Sequence, residues 1–118
     1  MSLQNKATMK EVSKWSKEYF QAYVLMYAAT ADFVVKEEER NMILDKVNES
    51  DFNALQKAFE KESDYSRLQK IILYKELNAP DKKEMEELLM EVTALFKSDG
   101  EFDILEQNLL VALRKLLK

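Results

Sequence analysis

The chain has 118 residues, with 18 Lys plus Arg against 22 Asp plus Glu, so its formal net charge is −4 and its length suits one domain. Apolar residues make up 47% and charged residues 34%, which is enough for a hydrophobic core and too apolar for a disordered chain. One Gly, one Pro, no Cys and no His exclude turn-rich β folds, disulfides, zinc fingers, His-dependent nucleophilic catalysis and haem ligation by histidine, and they predict an all-helical fold.

The first predicted helix is long. Apolar residues recur at steps of three and four between Thr8 and about Ala31, and they keep one helix face apolar: Val12, Trp15, Tyr19, Tyr23, Met26 and Tyr27. At 1.5 Å per residue this helix would extend about 36 Å, so we expect it to be the central element. Its aromatic side chains are expected in the core, with their polar atoms bonded to partners or open at an interaction seam.

Three shorter helices are predicted next. One opens at Glu37–Glu39, where acids favour the helix dipole, and continues through Val47. A second has Ser50 as its N-cap, and a third starts at Ser63 or Asp64. Their inward positions are expected to be Met42, Ile43, Phe52, Leu55, Ala58, Phe59, Leu68, Ile71 and Ile72.

Two further helices follow a boundary at Pro80. The fifth covers about residues 81–97 and ends at Gly100, the glycine available for a left-handed turn. Asp103 and Glu106 form a capping-box pattern that starts the last helix. The inward positions are Met85, Leu88, Leu89, Val92, Leu95 and Phe96, then Leu109, Leu110, Leu113, Leu116 and Leu117. The predicted fold is therefore an all-α, single-domain bundle of about six helices without a sheet.

The chain also shows an internal repeat. Sliding the sequence by 67 residues aligns three identical pairs: Asp32 with Asp99, Glu39 with Glu106, and Asn41 with Asn108. Both copies place an acidic loop between two predicted helices. We therefore expect two related helix–acidic loop–helix units.

These loops carry a resemblance to a known family. The first copy reads YAATADFVVKEEE from Tyr27 to Glu39, and the second reads FKSDGEFDILE from Phe96 to Glu106. The paired pattern resembles the tellurite-resistance TerB-like domains over residues 24–117. The resemblance implies an all-helical module of bacterial stress-response clusters and of membrane-associated J-domain co-chaperones, with metal binding suggested through the loop acids. The first loop departs from the family pattern at Phe33, where Gly is usual, and at Lys36, where a polar cap is usual.

Two interpretations of the loop acids stay open. If the loops meet, Asp32 and Glu39 would face Asp99, Asp103 and Glu106, and such an all-oxygen site favours calcium, magnesium or manganese. A complete EF-hand is excluded, since its first and third loop positions would be leucine and lysine. In the other interpretation, each acid caps a helix or satisfies backbone donors in its turn.

The remaining expectations concern location and partners. Residues 1–7 contain no apolar targeting core and are expected to be a flexible leader, and the longest apolar run, residues 22–29, is far shorter than the ~20 residues of a membrane span. Mixed charges without a clustered basic face argue against nucleic acid. We predict a cytoplasmic, non-enzymatic domain over residues 1–118 that binds a protein partner or a second copy, with little membrane contact.

Overall fold

The computed structural model describes residues 3–30, 36–98 and 104–117, and these ranges contain seven α-helices and no strand. The helices are α1 (Leu3–Ser13), α2 (Lys17–Ala29), α3 (Glu37–Leu44), α4 (Glu49–Lys61), α5 (Asp64–Asn78), α6 (Lys82–Lys97) and α7 (Ile104–Leu117). The predicted all-α class is confirmed. The predicted Gly100 turn and Asp103 cap lie outside the described residues.

The prediction of one long first helix is wrong, because two helices replace it. The N–H of Trp15 donates to the carbonyl of Val12 at 3.0 Å, which closes a tight turn after α1. Ser16 then has an extended backbone (φ −75°, ψ 166°), and its Oγ accepts a hydrogen bond from the N–H of Tyr19 at 3.0 Å. This N-cap starts α2 and bends the chain, although the apolar spacing continues across the break.

Helix α2 is central, as predicted. Its residues 22–29 are all buried, and it packs against α3, α5 and α6. Near their starts, Lys17 of α2 lies 3.8 Å from Glu84 of α6, measured from Nζ to Oε1. Phe20 of α2 and Met85 of α6, which also lie in the N-terminal halves of their helices, line one small cleft. The N-terminal parts of the two helices therefore lie side by side.

The helix starts differ from expectation at one position. Ser63, one of the two starts expected for α5, caps that helix, and Asp81, near which α6 was expected to begin, caps α6. For α4, however, the cap is Asn48 and not Ser50, since the Asn48 Oδ1 accepts the N–H of Asp51 at 2.7 Å. The short side chain of Asn48 reaches this donor three residues ahead, whereas Ser50 already lies in the first turn.

Most predicted core positions are buried. All six inward positions of α6 are buried, and so are Ile43, Phe52, Leu55, Phe59, Ile71, Leu113 and Leu117. The other predicted positions of α3, α4, α5 and α7 are half-buried: Met42, Ala58, Leu68, Ile72, Leu109, Leu110 and Leu116. The amphipathic spacing therefore located the core side of each of these helices correctly.

Helix α5 ends in a conformation that the sequence did not indicate. Ala79 has φ 42° and ψ 55°, the left-handed region that usually favours glycine, and its N–H donates to the carbonyl of Lys75 at 2.9 Å. Pro80 follows directly and prevents the helix from continuing. The boundary at Pro80 was predicted, but the left-handed alanine was not.

The lengths of the helices bear on membrane insertion. A helix needs about 20 apolar residues to cross a bilayer. Within the described ranges, no helix combines that length with sufficient hydropathy.

Candidate functional site

Two of the five predicted cation ligands lie in described residues. Glu39 and Glu106 each occupy the first turn of a helix, α3 and α7 respectively, and each is only 3% exposed. The Oε1 of Glu39 accepts the backbone N–H of Lys36 at 3.0 Å, so Glu39 acts as a helix cap. The other predicted ligands, Asp32, Asp99 and Asp103, lie outside the described residues.

The chain segments next to both predicted loops meet at one cleft, which we call the α2/α7 cleft. Its volume is about 500 Å³, and its lining is Tyr27, Thr30, Asp64, Arg67, Leu105, Asn108 and Leu109. Thr30 directly precedes the stretch of residues 31–35 in the first predicted loop, and Leu105 closely follows residues 99–103 of the second. In the described ranges, no three acidic side chains come together as a metal site requires. The shared cation site therefore stays a prediction.

Polar groups form one wall of the α2/α7 cleft. The hydroxyl of Tyr27 donates to the Oδ1 of Asp64 at 2.8 Å, and burial together with this carboxylate raises the pKa of Tyr27. The guanidinium of Arg67 lies over the ring of Phe59 at 4.7 Å and donates to the carbonyl of the same residue. The Nε of Arg67 is buried and has no hydrogen-bond partner among the described atoms. Polar groups of Tyr27, Asp64 and Arg67 thus line this side of the cleft.

Helix α7 borders this cleft and exposes large apolar side chains. Ile104 is 72% exposed, Leu105 is 65% exposed and Val111 is 53% exposed. The opposite side of the helix is anchored in the core by Leu113 and Leu117. The sequence analysis identified the inward residues of α7 but did not identify this outer face. The sequence does contain a signal for this exposed apolar face, because apolar residues of α7 occur on both sides of the helix.

The sequence analysis also missed a buried ion cluster around Lys70. The Nζ of Lys70 lies 2.9 Å from the Oε2 of Glu11 and also pairs with Glu62. The hydroxyl of Tyr23 donates to the Glu62 carboxylate at 3.3 Å. One cluster thus connects α1, α2, α5 and the link between α4 and α5. Its only sequence signal is a lysine four residues before Tyr74, on the apolar side of α5.

Burial and pairing act in opposite directions on the cluster. Burial alone would lower the pKa of Lys70, but its hydrogen bonds and charge interactions with Glu62 and Glu11 outweigh burial and raise the pKa. Burial is the main cause that raises the pKa of Tyr23, and the negative charge of Glu62 adds to it. The lysine therefore stays charged and Tyr23 stays protonated at neutral pH, so the cluster is held by complementary charges and hydrogen bonds.

The aromatic stripe of the first predicted helix is divided between core and surface. Tyr23 and Tyr27 are buried and bonded to carboxylates, as expected, whereas Trp15 and Tyr19 are half-buried. The ring of Trp15 lies 5.2 Å from that of Tyr19 and 4.6 Å from that of Tyr23, measured between centroids. Trp15 and Tyr19 also line an open cleft beside α1. Of the predicted aromatic stripe, the half-buried part therefore lies at the α1–α2 junction, and only this part could form the interaction seam that the sequence left open.

No family model, no curated protein and no solved structure matches this chain. The TerB-like resemblance therefore depends on the two loop motifs alone.

Replacing Lys70 tests the energetic role of the ion cluster. We expect Lys70→Met to lower the free energy of unfolding by about 3 kcal/mol or more, because two carboxylates lose a buried partner. The control is Lys17→Met, since Lys17 and Glu84 form a largely exposed pair, which we expect to contribute less than about 1 kcal/mol. Urea denaturation at pH 7 measures both variants. Equal losses in the two variants would contradict the assigned role.

The raised pKa of Tyr23 predicts a pH dependence. Because the folded pKa lies above the unfolded value near 10, the native state holds its proton more tightly, and stability falls as pH rises through about 10. Between pH 9 and 11 the wild type should lose about 1.4 kcal/mol more of its free energy of unfolding than Tyr23→Phe. The reason is that Tyr23 releases its proton near pH 10 in the unfolded state but keeps it in the folded state. Denaturant titrations across this range measure the difference. Parallel stability curves would show that Tyr23 titrates alike in both states.

Proposed function

We propose that this chain is a non-enzymatic helical module that binds another protein through the α7 surface, which we define as Ile104, Leu105, Asn108 and Val111. The observation that carries the proposal is the exposure of three large apolar side chains on one well-anchored helix. Grouped apolar exposure of this kind is typical of interaction sites. Ile104, Asn108 and Val111 follow a four- and three-residue spacing, so they share one helix face.

The surroundings of the α7 surface favour a helical partner. The face continues to the exposed Lys115, and the α2/α7 cleft beside it contains Asp64 and Arg67. An amphipathic helix could place apolar side chains against Ile104 and Val111, and acidic side chains near Lys115. Such an arrangement has an apolar centre and a polar rim, as protein interfaces commonly do.

The resemblance to TerB-like domains supports the same class of function. It favours a cytoplasmic module of bacterial stress response that acts by binding and not by catalysis. The alternative is a structural or dimerisation domain, in which the loop acids serve only as helix caps. The hydrogen bond from the Lys36 N–H to Glu39 supports the cap role at that position.

Charge substitutions on α7 test the proposed surface. We expect the double variant Ile104→Lys, Val111→Lys to weaken partner binding at least about tenfold, because two lysines would have to be desolvated at an apolar contact. Met90→Lys is the matched control, since Met90 is 71% exposed on α6. Partners captured from cells that express the chain are purified, and their Kd for each variant is measured by calorimetry.

Three outcomes separate the alternatives. Loss of binding in the α7 variant with retention in Met90→Lys supports the proposal. Equal binding by both variants contradicts it. If light scattering instead shows a dimer that only the α7 variant loses, the surface binds a second copy and the dimerisation alternative is correct.

A weak divalent-cation site at the paired loops is a second proposed function. Its supporting observation is that Thr30 and Leu105, which adjoin the two predicted loops, line the same cleft. The proposed ligands are Asp99, Asp103 and Glu106, with Asp32 and Glu39 assisting, and the proposed ions are calcium, magnesium and manganese.

Thermal unfolding with each ion tests the cation site. A ligand that binds only the folded state must raise the unfolding midpoint, so millimolar calcium, magnesium or manganese should stabilise the wild type. Asp99→Asn should abolish that response while leaving the metal-free midpoint nearly unchanged. Glu38→Gln, an exposed acid of α3, is the control and should retain the response. A loss of stability in Asp99→Asn that is the same with and without metal would support the cap role.

A further inference from the structure

The break between α1 and α2 is unusual because the segment contains no helix breaker. Residues 8–30 include neither Pro nor Gly. The apolar positions Val12, Trp15, Tyr19 and Tyr23 continue at steps of three and four through the bend. The sequence of this segment is therefore compatible both with the bent arrangement and with one continuous helix.

Two contacts depend on the bend itself. One is the N-cap hydrogen bond between the Oγ of Ser16 and the N–H of Tyr19. The other is the ring contact of Trp15 with Tyr23, at 4.6 Å between centroids. On a continuous helix, residues eight positions apart are separated by about 12 Å along the axis, so this ring contact would be lost. A straight helix would instead continue the backbone hydrogen-bond ladder that the bend interrupts.

The contacts that hold α1 do not depend on the bend. Val12 is fully buried, and Glu11 pairs with Lys70 of α5. Helix α1 packs mainly against α5. These contacts need an α1 segment in the groove, but they do not require that it belong to the same chain.

We propose that two copies of this chain exchange their α1 helices. In each copy α1 and α2 become one continuous helix, and α1 docks on α5 of the other copy. Val12 and Glu11 then make with the second copy the same contacts that they make within one chain. Since these interfaces are equivalent, the balance depends on the hinge and on protein concentration. The compact monomer prevails in dilute solution because association costs translational and rotational entropy.

Two substitutions at the hinge should shift the balance in opposite directions. Ser16→Ala removes the cap that only the bent form uses, so it should raise the dimer association constant by about tenfold or more, since two hinges contribute. Lys17→Pro should prevent the dimer. Lys17 is the first residue of α2, where proline is tolerated, and the extended ψ of Ser16 suits a following proline, whereas a proline inside a continuous helix would break it. Lys17→Ala controls for the lost charge.

The oligomeric state is measured by size-exclusion chromatography with light scattering from micromolar to millimolar protein. Ser16→Ala should form more dimer than the wild type. Lys17→Ala should behave as the wild type does, and Lys17→Pro should stay monomeric. Ile104→Lys, Val111→Lys should behave as wild type here, because the exchange does not use the α7 surface. The inference therefore stands or fails independently of the proposed function.

Carbodiimide crosslinking identifies the exchanged contact. Chains labelled with ¹⁴N and ¹⁵N are mixed, unfolded and refolded together, and the reagent then couples touching carboxylates and amines. In the exchanged dimer, the peptide joining Glu11 to Lys70 should include mixed-isotope pairs. The peptide joining Glu62 to Lys70 should stay within one isotope, because that pair belongs to one chain in either form.

The outcomes are decisive in both directions. A dimer with mixed-isotope Glu11–Lys70 peptides that Lys17→Pro abolishes supports the exchange. If a dimer forms but its Glu11–Lys70 peptides always carry a single isotope, the two copies associate through their surfaces. That result overturns the proposed exchange of α1 helices. The inference is also overturned if Ser16→Ala stays monomeric at millimolar concentration, or if Lys17→Pro dimerises as the wild type does.

Discussion

The side-chain ammonium of Lys70 is buried on α5, and its need for negative partners constrains the packing around it. A buried charge is costly unless it is paired, and Lys70 pairs with both Glu62 and Glu11. Glu62 is in turn bonded by the hydroxyl of Tyr23. Three helices and the link before α5 are therefore positioned by one cluster. Within one chain the bend at Ser16 belongs to the same arrangement, because α1 turns back from α2 to bring Glu11 to the Lys70 of its own chain.

With α2 enclosed by its neighbours, the rest of the molecule is arranged around it. Helix α6 packs on α2 and supplies an apolar face to the core. The lining of the α2/α7 cleft includes Thr30 and Leu105, which are close in sequence to the two predicted loops. Helix α7 closes one side of the core with Leu113 and Leu117, and among the residues that the structure describes none covers its outer face. The placement of the α7 surface thus follows from the core packing.

Sequence reasoning succeeded best where a feature depends on neighbouring residues. The approximate starts of α5 near Ser63 and of α6 near Asp81, and the inward faces of α4 and α6, follow from features within one or two turns. The acid at Glu39 illustrates the limit of this reasoning. Its position at a helix start was correctly associated with the helix dipole, and its carboxylate indeed caps α3. The same position also fits a cation ligand, because both roles require an acid at a helix start beside a loop.

By itself, the sequence determined the helical class and the core side of most helices, because these depend on proline and glycine content and on a period of about 3.6 residues. Only the tertiary structure decided where the first helix bends, since a bend at Ser16 leaves the three- and four-residue spacing unchanged. It also decided which lysine is buried and paired, because Lys70 meets Glu11, which is distant in the sequence, only after α1 packs on α5. Tertiary packing also decided that Ile104, Leu105 and Val111 are exposed. An apolar residue is buried only if another element covers it, and in the described structure none covers this face of α7.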